Sequence, residues 1–429
     1  MLAPARTAGD TAWFTHDRFG MFIHWGLYAL PARHEWVKSV ERIDDAAYQR
    51  YFEHFDPDLY DPREWAAAAK AAGMKYVVLT AKHHEGFCLW DTQATDYKAP
   101  NTPCGKDLLR PFVEAFREAG LRIGLYYSLI DWHHPEFPID IFHPLRDRED
   151  AAELNARRDV RAYAAYMRAQ VRELLTGYGT IDIIWFDFSY PERSYRGLPG
   201  KGRADWQSEQ LLALARELQP AIIVDNRLDL PAELADVHTP EQFQPREWLR
   251  VGGRPVVWEA CQTFSGSWGY HRDETSWKSP EQLVQMLVST VACGGNLLMN
   301  VGPTARGRFD DRALSALEAY AGWMRLHSRA IYGCTQSGHT APPDCRFTQR
   351  GDRLYLHMFS WPFRHVHLEG FAGKVGYAQL LNDASEIRLL EPGQHDEWSI
   401  AEVGPDTLTL ELPVAKPNVI VPVIELFLK

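Results

Sequence analysis

Seven short apolar runs recur through the first three quarters of the chain with amphipathic stretches between them, and this alternation limits the fold more than any other feature. The runs are MFIHW (21–25), YVVLT (76–80), RIGLYY (122–127), IDIIWF (181–186), AIIVDN (221–226), PVVWE (255–259) and NLLMNV (296–301). Each is short and rich in β-branched or aromatic residues, as expected of strands buried on both faces. The intervening helices have readable ends. Asp61 and Pro62 supply an N-cap and a first-turn proline, and Gly73 a stop. Asp107 opens a helix with Leu108, Leu109, Phe112, Val113 and Phe116 on one face and Gly120 after it. Stretches 158–178, 207–218, 281–292 and 311–329 also read as helices. Repeated βα units predict an α/β fold with a parallel sheet, and seven or eight of them favour a (β/α)8-like (TIM-type) barrel over residues 1–335. A doubly wound sheet is the rival, but no glycine-rich phosphate turn follows the first strand.

The texture changes near residue 335. RLYLHMFS, VHLEGF, YAQLLN and TLTLELP alternate in polarity between Gly/Pro/Asn/Asp turns, which predicts a C-terminal all-β sandwich over 336–429. The 46 Lys and Arg against 57 Asp and Glu give a formal charge of −11, with no basic block, so nucleic acid and anionic membrane are not expected partners. No apolar leader or membrane-length segment is present, and the six cysteines are scattered without a CxxC or zinc-ligand spacing. Reduced thiols in a cytoplasm are the expectation; a homo-oligomer is left open.

In a barrel of this kind chemistry gathers at the C-terminal ends of the strands. Polar and aromatic residues follow the runs in that position almost every time: His24 and Trp25, with Glu35 and Trp36 in the loop; Lys82, His83, His84 and Glu85; Tyr126 and Tyr127, then Asp131 and Trp132; Trp185, Phe186 and Asp187; Asp225, Asn226 and Arg227, with Glu241 down the loop; Trp258 and Glu259. Together they describe a polar pocket with stacking walls. Asp187 is the sharpest signal. A buried strand delivers its carboxylate to the barrel mouth, although Asp in that position also serves as a helix N-cap. His83 and His84 are adjacent, so they point to opposite faces of a strand and chelate a metal poorly; one structural and one pocket histidine, or two hydrogen-bond donors to hydroxyls, are the better readings. No GxSxG elbow or activated thiol is present, which leaves carboxylates as the reactive groups. Two carboxylates over an aromatic-walled pocket is a glycosidase arrangement.

Five ordered motifs, FGMFIHWGLYALPARHEW, AKHHEGFCLWDT, GLYYSLIDW, IIWFDF and GGNLLMNVGPTARG, resemble the α-L-fucosidases of glycoside hydrolase family 29, from about Trp13 to Tyr332. The resemblance implies a (β/α)8-like barrel, a C-terminal β-sandwich, a retaining mechanism, no cofactor or metal, and a terminal fucosyl group on an oligosaccharide or glycoconjugate as substrate. It makes Asp187 the nucleophile and implies fucose binding by His24, Glu35, Trp36, His83, His84, Tyr126, Trp185 and Arg227. Phe22 and Trp268 match apolar positions near the C5 methyl, where an apolar patch favours a 6-deoxy sugar. TPEQ resembles the segment carrying the acid/base in one subgroup, giving Glu241; Glu259 in WEACQ is the alternative. Val37 after HEW and Phe188 after the nucleophile depart from the family's pattern. Related retaining glycosidases on another L- or 6-deoxy sugar, and a silent lectin on the same barrel, are the competing expectations.

Overall fold

The computed structural model describes residues 4–394 and 403–429; residues 395–402 of the segment expected as sandwich lie outside them. Seven parallel strands form the central sheet: β1 (Phe19–Ile23), β2 (Tyr76–Lys82), β3 (Arg122–Ser128), β4 (Ile183–Asp187), β5 (Ile223–Val224), β6 (Glu259–Thr263) and β7 (Asn296–Val301), in the order β6-β7-β1-β2-β3-β4-β5. Almost every strand residue is buried, because both faces are covered. Side chains alternate accordingly. Phe22, Val78, Tyr126, Trp185, Ile223, Cys261 and Leu298 turn inward to one cluster, while Met21, Ile23, Val77, Leu79, Leu125 and Phe186 turn outward to the larger core beneath the helices.

The helices form where the capping residues place them. The Asp61 side chain accepts from the Arg63 N–H at the start of α1 (Pro62–Ala71), and Gly73 takes the left-handed conformation just beyond its end, a cap worth about 1 kcal/mol. Asp107 accepts from the N–H groups of Leu109 and Arg110 ahead of α2 (Leu109–Glu118), whose Leu109, Phe112, Val113 and Phe116 are buried. α3 (Val160–Gly177), α4 (Ser208–Leu218), α5 (Pro280–Ala292) and α6 (Asp311–His327) complete the layer.

Two expectations are corrected. First, the strands curl into a half-barrel that does not close into an eight-stranded ladder. Among the described residues no α-helix lies between β5 and β6. The gap is spanned instead by residues 237–241 through isolated parallel bridges, Asp225 to Val237, His238 to Trp258 and Glu241 to Cys261. This segment contains Pro240, which has no N–H for a continuous ladder. Second, the run PVVWE is the lead-in to the sixth strand, and the strand itself is EACQT. Glu259 therefore begins β6, level with Asn296 at the start of β7, rather than ending it.

From Thr335 onward the strands are antiparallel. β8 (Thr335–Gln336), β9 (Cys345–Arg350), β10 (Arg353–Met358), β12 (Val375–Leu380) and β15 (Val423–Leu428) form one sheet in the order β8-β9-β10-β15-β12; β11 (His365–Leu368), β13 (Arg388–Leu390) and β14 (Leu408–Glu411) form a second in the order β11-β14-β13. Leu354, Leu356, Val366, Leu368, Leu408, Leu410, Ile424 and Leu426 share the core between them. The larger sheet packs on the barrel helices: α5 touches β9, and the Trp323 indole of α6 donates to the Val421 carbonyl at 2.8 Å.

Candidate active site

Asp187 is the last residue of β4, paired with Ser128, and its backbone carbonyl accepts from the Leu129 N–H. This fixes the carboxylate at the mouth of the sheet. Oδ2 accepts from the Tyr126 hydroxyl at 2.7 Å and Oδ1 from Arg227 Nη1 at 2.8 Å. Burial pushes the carboxyl above its ordinary range; Arg227 and the Tyr126 hydroxyl oppose that, while Glu241 adds to it. The same Arg227 Nη1 lies 3.2 Å from Glu241 Oε2. Oxygens 2.8 and 3.2 Å from a single nitrogen can be no more than about 6 Å apart, close to the roughly 5–5.5 Å separation of retaining glycosidases and short of the inverting range. The Glu241 side chain is 45% exposed, so an incoming group can reach it.

Arg227 is held on three further sides. Nε donates to Thr239 Oγ1 at 3.0 Å, Nη2 to the Thr239 carbonyl at 3.1 Å, and the guanidinium lies 4.5 Å from the Trp185 ring. Burial alone would lower its pKa, but Asp187 and the other acidic neighbours outweigh that and keep it charged.

A pocket open to solvent at its mouth, with an empty volume of about 330 Å³, sits over these groups. Asp187, Arg227 and Glu241 line it together with His24, Trp36, His83, His84, Tyr126 and Trp185 and with the apolar pair Phe22 and Trp268, whose rings are 6.0 Å apart. Phe188 and Cys261 line it too. Cys261 escaped the sequence reading because its strand was placed too early; in EACQT it alternates inward. Phe188 was noted only as a departure from pattern. It takes φ +90, a rare backbone for a bulky residue, and Gln242 after Glu241 also has a positive φ of 46.

The histidines are neutral, driven down by burial, His24 to about 3. Their partners fix the tautomers. Asn300 donates Nδ2 to the Trp268 carbonyl, so its Oδ1 accepts from His24 Nδ1 at 2.7 Å. Ser128 donates to the Ile130 carbonyl, so its Oγ accepts from His84 Nδ1 at 2.7 Å. His24 and His84 thus present Nε2 lone pairs. His83 Nδ1 is buried without a partner; an orphaned lone pair costs less than an orphaned N–H, which leaves its proton on Nε2. Of the readings open to the pair, both histidines line the pocket, and these partners favour a donor at His83 and an acceptor at His84.

Two expected site residues stand outside the void. Glu35 Oε2 accepts the N–H groups of Trp268 and Gly269 at 3.1 and 2.7 Å, so the carboxylate secures the loop that presents Trp268. Glu259 lies beneath the pocket floor, accepting from the Tyr76 hydroxyl and, at 3.4 Å, from Trp185 Nε1. Lys82 pairs with Asp131 at 3.1 Å, and Glu85 accepts from the Leu27 N–H; these groups brace the loops. Among the described residues no group of three or more His, Cys, Asp or Glu is arranged to hold a metal.

The α-L-fucosidase family profile matches residues 5–329. The human plasma α-L-fucosidase is 29% identical over 437 residues, covering 94% of this chain and 85% of that protein. α-L-Fucosidase isoenzyme 1 from Paenibacillus thiaminolyticus superposes with a TM-score of 0.90 at 45% identity, over 98% of each chain. A family 29 α-L-fucosidase from Bacteroides thetaiotaomicron, captured as a trapped covalent intermediate, superposes with a TM-score of 0.82 at 26% identity, over 100% of this chain and 99% of that one. The chain belongs to the α-L-fucosidases of glycoside hydrolase family 29.

Proposed function

We propose that this retaining exo-α-L-fucosidase uses Asp187 as nucleophile and Glu241 as acid/base. The observation that carries the assignment is the single Arg227 nitrogen between the two carboxylates, which keeps their nearest oxygens no more than about 6 Å apart, below the inverting separation. An Asp187 oxygen bonds to the anomeric carbon as the bond to the leaving oxygen breaks, and Glu241 gives that oxygen its proton. Water then attacks the fucosyl ester from the vacated side, Glu241 takes its proton, and Asp187 departs as carboxylate. Arg227 and the Tyr126 hydroxyl stabilise Asp187 in its ionised form. His24 and His84 accept from sugar hydroxyls and His83 donates. The apolar corner of Phe22 and Trp268 favours a methyl over a hydroxymethyl group at C5.

The substrate is a fucosylated oligosaccharide or glycoconjugate. A cytoplasmic location is part of the proposal, supported by six free cysteines. The test is Asp187→Gly. Its kcat on an aryl α-L-fucoside should fall by several orders of magnitude, and azide, filling the vacated space, should restore part of it with β-fucosyl azide as product. Near-normal turnover by the folded variant would remove Asp187 from the mechanism.

A further inference from the structure

The Lys82 side chain has no exposed surface and takes no part in either chemical step. Its ammonium lies 3.1 Å from Asp131 Oδ2 and 3.4 Å from the Tyr163 hydroxyl, over the Tyr127 ring at 4.4 Å and beside the rings of Tyr163 and Tyr166. We propose that Lys82 and Asp131 are positioning residues for the reaction. Asp131 holds His84 in place, and the Lys82 ammonium keeps His84 a neutral acceptor that does not pair with Asp187. The proposal deepens the fucosidase reading and rests on Asp187 as its nucleophile.

Burial is the first argument. Desolvating two ions costs about as much as their attraction returns, so apolar residues of the same volume would serve stability equally well. A fully buried pair directly behind the pocket histidines therefore points to a role in the reaction.

Backbone geometry is the second. Thr80 pairs with Tyr126 and Lys82 with Tyr127, so Ala81 is the extra residue of a bulge. Val78 turns inward, but the bulge sends both Ala81 and Lys82 outward, Lys82 towards α3. His83 and His84, just beyond the end of β2, then both return to the pocket. Asp131 completes the frame. Its Oδ1 accepts from the N–H groups of His133 and His134, each at 3.0 Å, and closes the turn whose Trp132 N–H donates to the His84 carbonyl at 2.8 Å. Gly86, at φ +86, leaves room for that carboxylate; a Cβ there would collide with Asp131 Oδ1.

Charge is the third. His84 Nε2 lies 3.9 Å from Asp187 Oδ2. A protonated His84 would pair with the nucleophile and lose the lone pair that receives a sugar hydroxyl. Burial is the main force against that proton, and His24, Lys82 and Arg227 act with it. Within the ion pair it is the ammonium that acts on His84. His83 and the uncharged Ser128, Trp36, Trp132 and Phe188 complete the surroundings of the ring. The titratable groups around the ion pair itself are Cys88, Tyr127, Tyr163, Tyr166, His133 and His134. Burial works against an ionised Asp131, but Lys82 and the two histidines outweigh it.

The experiment follows the imidazole nitrogen resonances of His84, assigned against His84→Gln, through an acid titration of the full chain. It also measures kcat/KM for para-nitrophenyl α-L-fucoside against pH. Lys82→Met, Asp131→Asn and the double variant are compared with wild type. The double variant replaces the pair by neutral groups of similar size, so it keeps the test open if one orphaned charge prevents folding. In wild type and Asp131→Asn, His84 should hold the neutral Nδ1–H tautomer to the same low pH. In Lys82→Met and the double variant it should take up its proton about one pH unit higher, the scale of one charge acting across a protein interior. The acid limb of kcat/KM should move up in the same two variants. At the pH optimum each single variant should lose about tenfold in kcat/KM through displaced histidines. One His84 midpoint shared by all four proteins would overturn the role of the ammonium, and wild-type kcat/KM in both single variants would overturn the positioning. A wild-type protein inactive on the aryl fucoside would overturn the fucosidase reading, while the His84 midpoints would still decide whether the ammonium governs that histidine.

Discussion

Arg227 Nη1 does two jobs with one nitrogen, and the consequence is testable at the residues it joins. An acid catalyst matters most when the leaving group is poor. Glu241→Ala should therefore lose far more activity, by about a hundredfold or more, on a fucosyl disaccharide than on an activated aryl fucoside. Its trapped intermediate should react with azide to give α-fucosyl azide. Glu259→Gln should behave differently. Glu259 receives the Trp185 indole N–H from below, while Arg227 lies over the same ring; weakening that support should lower both activities alike, without an azide response. Leaving-group dependence and azide rescue at Glu259 would transfer the acid/base role to it. The sequence made Asp187, His24, His84 and Trp185 visible, because each ends or directly follows an apolar run. It made Glu259 look equivalent because its strand was placed four residues too early in PVVWE rather than EACQT. Asn300 and Ser128, which set the histidine tautomers, were not legible: their effect depends on partners far away in the chain, the Trp268 carbonyl and His84.

At the scale of elements, the six long helices around the sheet and six of the seven strands were legible, because burial on both faces forces an apolar run and a capping residue announces most of those helices; the short helices in the loops, such as Asp45–Glu53, were not. The closure between β5 and β6 was not. ADVHTPEQ has no apolar run, and its segment is held by isolated bridges, by the hydrogen bonds of Thr239 with Asn226 and Arg227, and by one carboxylate. Asp236 Oδ1 accepts from the Gly9 N–H at 2.7 Å, and Oδ2 accepts from the Val224 N–H at 2.8 Å and from Arg216. Asp236 thus ties the N-terminal segment, β5 and α4 to the stretch that delivers Glu241. Asp236→Ala leaves two buried N–H groups and a guanidinium without their acceptor, a loss of about 2–4 kcal/mol, visible as a lower urea midpoint. In the protein that remains folded, kcat on the disaccharide should fall more than kcat on the aryl fucoside, since Glu241 is displaced while the walls from β1 to β4 stay in place. An unchanged midpoint would show that the bridges and the Thr239 hydrogen bonds hold the segment without the Asp236 carboxylate.

Across the whole molecule, the site is assembled by withholding charge from groups that would carry it in water, and this shapes stability against pH. Burial lowers His24, to about 3, and also lowers His83, His84 and His143. In the unfolded chain these residues take up protons below about 6.5, so acidification favours unfolding. Burial raises Glu85 and Glu259, each to about 7 despite the Tyr48 and Tyr76 hydroxyls that donate to them. For these acids the sign is opposite. The folded state keeps the proton that the unfolded chain has released above about 4.5, so their contribution is fully present below that value, falls as pH rises, and is lost by about 7. The formal charge of −11 adds self-repulsion at the alkaline end. Glu259→Gln removes one of these protonation equilibria and keeps the shape of the side chain. Its stability relative to wild type, followed as Tm, should rise steadily between pH 4.5 and 7 and level off above that, the stability difference changing by up to about 3 kcal/mol in total. Adding Glu85→Gln should enlarge the same pH-dependent difference, because the two carboxyls have separate partners. A Tm difference that stays constant across the window would mean that Glu259 ionises within the folded protein as readily as in the unfolded chain, and that the pocket floor is wetter than its burial implies.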